Sequence, residues 1–196
     1  MTIELREQGH TISVLDIGGG LGIDYSDGGQ QPPAIRDYAK LANDILGQLD
    51  CKILIEPGRS LVGDRGILIA KVIYIKEGEH DHFLVIDAGM NDLLRPSMYD
   101  AFHEIVPGFI RSGEVMHYHV VGPICETGDT FSHDRPMQPL QAGDLVAIKN
   151  AGAYGAVMAS TYNTRPLVPE VLVDRDSATV IRPRPDYEQL IGLDTP

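Results

Sequence analysis

Two stretches of this chain set glycines, an acid and an arginine at the ends of apolar segments: Val14-Leu15-Asp16-Ile17-Gly18-Gly19-Gly20 and Ile53-Leu54-Ile55-Glu56-Pro57-Gly58-Arg59. Each passes from a short hydrophobic run straight into a turn. Glycine loses more conformational freedom on folding than any other residue. Three in a row therefore make sense where backbone N–H groups must approach a ligand closely, and phosphate is the usual ligand of that kind. A plain tight turn is the alternative. Glu56 and Arg59 add a carboxylate and a guanidinium at the second turn. Together the two turns outline part of a site for an anionic cofactor and a carboxylated substrate. A dinucleotide fingerprint fits worse, because G-x-G-x-x-G asks for an acidic residue about 20 positions later and Glu56 lies farther along.

Further candidates follow downstream. Arg95 opens Arg95-Pro96-Ser97-Met98-Tyr99, in which the proline stiffens the chain between two side chains able to hold a carboxylate. An arginine fork with a tyrosine hydroxyl suits that anion, although a lone arginine is often only a surface residue. Cys125 and Glu126 sit in the turn-rich segment Gly122-Pro123-Ile124-Cys125-Glu126-Thr127-Gly128-Asp129. A thiol there can donate a proton while the carboxylate holds an ammonium group; the bland alternative is an unreactive loop cysteine. Tyr154, in Gly152-Ala153-Tyr154-Gly155, offers a phenol next to a predicted short helix, or is a packed turn residue. His103, His117 and His119 show no metal-ligand spacing with acids or cysteines and read as structural or exposed.

The elements that must position these residues are of two kinds. The first nine residues read as a helix with Gly9 as a left-handed cap. Ser13 to Ile17 is a predicted strand, Ile35, Tyr38, Leu41, Ile45 and Leu49 recur at helical spacing, and Lys52 to Glu56 is the next strand. Strand, helix, strand is the pattern of a parallel sheet. After about Ser60 the chain turns β-rich. Gly66 to Lys76 and His82 to Ala88 flank the polar turn Glu77-Gly78-Glu79-His80-Asp81, a hairpin signal. Glu114 to Val121, Asp144 to Lys149, Glu170 to Asp174 and Ser177 to Arg182 are further strands, and Gly155 to Ser160 is the one short helix expected among them. The expected class is α/β plus all-β: the end of an α/β domain over 1–60, then an antiparallel barrel or sandwich over 61–196.

Composition bounds the partners. The 196 residues carry 16 basic and 28 acidic side chains, a net charge of -12, which argues against nucleic acid and anionic membrane as partners. The start lacks a signal-peptide pattern, and no apolar run nears the roughly 20 residues of a spanning helix. Cys51 and Cys125 lie in unlike contexts without disulfide or metal spacing, which suits a reducing, cytoplasmic compartment.

In order and spacing, VLDIGGGLG, ILIEPGRS, LLRPSMYDAFHEI, GPICETGD, NAGAYG and YNTRPLVPEVLV resemble the C-terminal half of the diaminopimelate decarboxylases. These are fold-type III enzymes that use pyridoxal 5'-phosphate. The resemblance covers essentially the whole chain. It implies the last part of a (β/α)8 barrel followed by a β domain, in a homodimer whose active sites are shared. It also implies that Gly18, Gly19, Gly20 and Gly58 bind the cofactor phosphate and that Glu56 faces the pyridine nitrogen. Arg59, Arg95 and Tyr99 would hold the surviving substrate carboxylate, and Tyr154 would serve cofactor and substrate. Cys125 would be the proton donor and Glu126 would bind a substrate amine, both reaching into the partner's site. Relatives acting on ornithine carry Cys-Asp in place of Cys125-Glu126 and lack Arg-Pro-x-x-Tyr, so meso-2,6-diaminopimelate is the expected substrate; a carboxynorspermidine decarboxylase is the nearest alternative. The family's cofactor-bearing lysine stands in an aromatic-Ala-x-Lys-Ala motif, and Lys40, Lys52, Lys71, Lys76 and Lys149 all lie outside such a context. The expectation is therefore a piece of a longer enzyme, inactive alone, with a non-catalytic interaction module as the alternative.

Overall fold

The computed structural model describes residues 1–26, 31–79 and 81–194. Part of the Gly- and Asp-rich loop after Leu21, and His80 in the polar turn, lie outside the described residues. In chain order the first elements are α1 (Thr2–Glu7), β1 (Val14–Asp16), α2 (Ile35–Leu46), β2 (Lys52–Leu54) and α3 (Gly58–Val62). Gly9 ends the first helix as expected, with φ +91. β1 and β2 pair in parallel, Val14 opposite Lys52 and Asp16 opposite Leu54. Arg6 ties α1 to this pair by donating to the carbonyls of Ile12 (3.1 Å) and Leu49 (2.6 Å).

From there the chain continues through β3 (Leu68–Glu77), β4 (His82–Ile86), α4 (Arg95–Tyr99), β5 (Ile105–Pro107), β6 (Met116–Val121), β7 (Thr130–Met137) and β8 (Leu145–Ile148). β9 (Glu170–Asp174), β10 (Ser177–Arg182) and α5 (Tyr187–Ile191) follow, and Ala156–Met158 forms a single 3-10 turn. Six strands make one sheet in the order β5-β8-β3-β4-β6-β7, while β9 and β10 form a separate antiparallel hairpin. The predicted β3–β4 hairpin is present; a register shift between Val72 and Tyr74 keeps Ala70, Val72 and then Ile75 on the core side.

Two expectations need correction. The sheet is mixed, not antiparallel throughout: β4 and β6 run parallel, His82 opposite Tyr118 and Val85 opposite Val121. The connection from Asp87 to Val115 is long enough for the crossover that parallel pairing requires. The short turn at residues 156–158 is also not the only helix after Ser60, since α4 and α5 are present. The sheet curls until its edge strands nearly meet. Arg135 on β7 donates to the carbonyl of His103 just before β5 (3.2 Å), and a cleft between Glu104–Pro107 and Arg135–Gln138 separates the two edges. Inside lie Val72, Leu84, Ile86, Tyr118, Val120, Val146 and Ile148, all essentially inaccessible. Each such aliphatic side chain contributes about 1.5–3 kcal/mol relative to leaving it in water.

The first 62 residues are packed differently. None of α1, α2 or α3 buries a residue, and Ile35, Leu41, Ile45, Leu54, Ile55, Leu61 and Val62 are exposed. No helix among the described residues is long and apolar enough to cross a membrane.

Candidate active site

Parallel pairing of β1 and β2 sets the two glycine-bearing strand ends side by side. Ile17 donates to the carbonyl of Leu54 (3.1 Å) and Glu56 to that of Gly18 (2.8 Å). Gly18 (φ +71) and Gly20 (φ +100) take left-handed conformations that side chains oppose, and a Cβ on Gly19 would sit 2.6 Å from the carbonyl oxygen of Glu56. The Asp16 carboxylate accepts the Gly18 N–H (2.8 Å) and holds the turn in shape. On the open side, a Cβ built at Gly18, Gly20 or Gly58 would meet no atom within 4 Å. Among the described residues, nothing accepts from the N–H groups of Gly19 or Gly20. The residues therefore fit a phosphate: open glycine backbone, unspent donors and no side chain in the way.

Next to this opening stands a cluster of cations and aromatic rings. The ring of Tyr25 has the Arg95 guanidinium 4.4 Å from its centre and that of Arg59 at 5.9 Å; Arg59 also lies 5.3 Å from the ring of Tyr154. These distances are those of cation–π contacts. The phenolic oxygen of Tyr25 is buried without a hydrogen-bond partner among the described residues. Its loop is anchored where Asn150 donates to the carbonyl of Asp24 (3.0 Å), next to the turn that carries Tyr154. That turn fits closely. Gly152 faces the carbonyl of Val62 and the nitrogen of Gly66, where a Cβ would collide with both. Arg59 and Arg95, singled out in sequence, thus converge on Tyr25, and Tyr154 joins them through Arg59.

Arg95 is only 7% exposed and makes no ion pair among the described residues. Its Nη1 lies 2.9 Å from Nε2 of His103, whose Nδ1 lies 2.9 Å from the carbonyl oxygen of Lys149. Because a carbonyl only accepts and a guanidinium only donates, these partners assign a neutral imidazole with its proton on Nδ1. Burial holds the His103 pKa below 6.5, and the positive charge of Arg95 pushes the same way against the Lys149 hydrogen bond. The sign follows from linkage: with the folded value depressed, stability from this group is present above pH 6.5 and lost as pH falls. Thermal unfolding followed by circular dichroism should show a fall in midpoint between about pH 7 and pH 5 that is smaller in His103→Gln.

Cys125 and Glu126 stand at the tip of a loop braced from within. The buried Asp129 carboxylate accepts from the N–H groups of Ile124 and Met90, both at 2.6 Å, and occupies the space a side chain on Gly122 would need. Burial raises the Asp129 pKa, with those two hydrogen bonds opposing. The tip is exposed. Cys125 lines a cleft of about 320 Å³ with Tyr74, Lys76 and Phe83. α4 packs close to the same loop, Ser97 Oγ lying 2.7 Å from where a Cβ on Gly128 would stand. Tyr99 is 62% exposed. Among the described residues, no hydrogen bond or ring contact joins Cys125, Glu126 or Tyr99 to Arg59, Arg95 or Tyr154.

Sequence reasoning did not single out Tyr25 and took His103 as structural or exposed. Tyr25 stands five positions after Gly20 in the run that ends the first strand, and that adjacency was the available signal.

Residues 14–152 match the family described as pyridoxal-dependent decarboxylase, C-terminal sheet domain, and the chain belongs to that family. Among individual proteins, it is 45% identical over 187 residues to the diaminopimelate decarboxylase of Zymomonas mobilis, covering 95% of this chain and 44% of that protein. The crystal structure of diaminopimelate decarboxylase from Helicobacter pylori complexed with L-lysine superimposes with a TM-score of 0.89 at 41% identity, over 98% of this chain and 47% of that one. A lysine/ornithine decarboxylase from Vibrio vulnificus complexed with cadaverine is less similar, with a TM-score of 0.74 and 28% identity over 83% of this chain and 44% of that one. The chain spans about half the length of the curated relatives it matches.

Proposed function

We propose that this chain is the C-terminal half of a cytoplasmic enzyme that decarboxylates meso-2,6-diaminopimelate to L-lysine and CO2 with pyridoxal 5'-phosphate. Residues 1–60 are the end of the cofactor-binding (β/α)8 barrel and 61–196 the β domain. The exposed apolar faces of α2, β2 and α3 support this reading, since they are the surfaces that further barrel strands and helices cover. The observation that carries the substrate class is Arg95, a buried guanidinium with no acid partner among the described residues, which shares the ring of Tyr25 with Arg59. A buried cation of this kind calls for an anion.

Gly18, Gly19, Gly20 and Gly58 hold the cofactor phosphate, Glu56 keeps the pyridine nitrogen protonated, and Tyr154 flanks cofactor and substrate. When bound, the cofactor supplies an electron sink for the pair left as CO2 departs. Arg59, Arg95 and Tyr99 hold the carboxylate that is kept. Cys125 delivers a proton from Sγ to the carbon that lost CO2, and Glu126 binds a substrate ammonium. In line with the family resemblance, the enzyme is a homodimer in which each Cys125-Glu126 loop serves the partner's site. The cofactor-bearing lysine falls to the other half of the enzyme. Assaying the complete enzyme on meso-diaminopimelate, carboxynorspermidine and L-ornithine tests the substrate: lysine from the first is the expected product, and turnover of carboxynorspermidine alone would overturn the assignment.

A further inference from the structure

Arg95 does not hold its position unaided. We propose that His103 is a positioning residue that fixes the Arg95 guanidinium for the substrate carboxylate and releases it when the imidazole takes up a second proton. This rests on the reading of Arg95 as a carboxylate ligand. Arg95 is gripped on two sides: the ring of Tyr25 faces the guanidinium at 4.4 Å, and Nε2 of His103 accepts from Nη1 at 2.9 Å. The same imidazole meets Tyr25 edge-on, ring centres 5.3 Å apart, so all three groups form one packed unit. His103 is in turn fixed by its bond to the carbonyl of Lys149 and is 1% exposed. With Nη1 committed, the other N–H groups of the fork are left to face an anion.

The arrangement works only while Nε2 carries no proton. Protonation turns that nitrogen from acceptor into donor and sets a second positive charge against Arg95 at hydrogen-bond distance. Among the described residues, the charged and titratable groups around His103 do not offset this. Arg95 comes from α4 and Tyr25 from the loop after β1. Arg135, from β7, donates to the His103 carbonyl (3.2 Å) and adds positive charge. Lys149, at the end of β8, and Glu104, next to His103 in the chain, neutralise each other in an ion pair of 2.6 Å.

The test uses the complete enzyme with meso-diaminopimelate. His103→Leu keeps the bulk but removes the acceptor, and should raise KM about tenfold or more with kcat within about threefold. His103→Gln supplies an amide oxygen to Arg95 and an N–H to Lys149 without a titratable proton. It should keep KM near the native value at neutral pH and lack the rise in KM expected of the native enzyme as pH falls toward about 5.5. Nitrogen-15 shifts of His103 should report a proton on Nδ1 and none on Nε2 at neutral pH. A native-like KM in His103→Leu, an unchanged acid rise in His103→Gln, or a proton on Nε2 would overturn the proposal. Arg95→Ala separates the two levels. If it leaves KM unchanged, the carboxylate reading itself fails; if it raises KM while His103→Leu does not, only the role of His103 fails.

Discussion

Replacing Cys125 by alanine in the complete enzyme is expected to lower kcat by about 10²- to 10⁴-fold, the range that a positioned proton donor supplies, while the visible absorbance of the bound cofactor stays intact. The loop geometry makes this a clean test. The shape of the tip is set by the Asp129 carboxylate and its bonds to Ile124 and Met90, none of which involves the Cys125 side chain. Turnover unchanged by the substitution would make the thiol structural. Mixing subunits extends the test: if Cys125 and Glu126 serve the partner's site, Cys125→Ala and Arg95→Ala enzymes should complement when assayed at a substrate concentration far below the raised KM of Arg95→Ala, where each alone turns over little. Random pairing then restores about a quarter of native activity, because half the dimers are mixed and each mixed dimer has one intact site. Sites contained within one subunit would give none.

Arg95→Ala is the second large effect. It should raise KM for meso-diaminopimelate by about 10- to 100-fold, the loss expected for a charge-assisted carboxylate contact, with a smaller effect on kcat. Arg95→Lys should recover little, since an ammonium reproduces neither the bidentate fork nor the stacking on Tyr25. Loss of cofactor retention without a change in KM would contradict the assignment, because Arg95 lies against Tyr25 and not among the glycines of the β1 and β2 ends.

Local pattern carried much of the architecture. The parallel pair β1–β2 with its helix, the β3–β4 hairpin and the β9–β10 hairpin all show in residue types and spacing, because each joins segments close in sequence. Strand β7 did not, since Ser132, His133, Asp134, Arg135 and Pro136 lack the apolar alternation that marks a strand. A proline is tolerated there because β7 lies at the edge of the sheet, where one side of the strand needs no ladder partner. The parallel contact of β4 with β6 depends on where the excursion from Asp87 to Val115 returns, which local pattern does not encode.

The same distinction holds in the site. The glycine turns, Arg59, Arg95, Cys125 and Tyr154 announce themselves by residue type beside a strand end or turn. Tyr25 and His103 gain their meaning only when contacts across 70 and 46 positions or so bring Arg95, Tyr25 and Lys149 together. A tyrosine in a loop and a histidine after an aromatic carry no signal of that kind alone.

Cofactor uptake decides the matter most directly. The chain, rejoined to the upstream half and incubated with pyridoxal 5'-phosphate, should take on the visible absorbance of a lysine-bound cofactor, lose it on borohydride reduction, and fail to acquire it stably when Gly19 is replaced by valine, whose side chain would be forced against the Glu56 carbonyl. A folded, complete protein that stays colourless, or that retains the cofactor equally well with Gly19→Val, would contradict a phosphate seat at these strand ends.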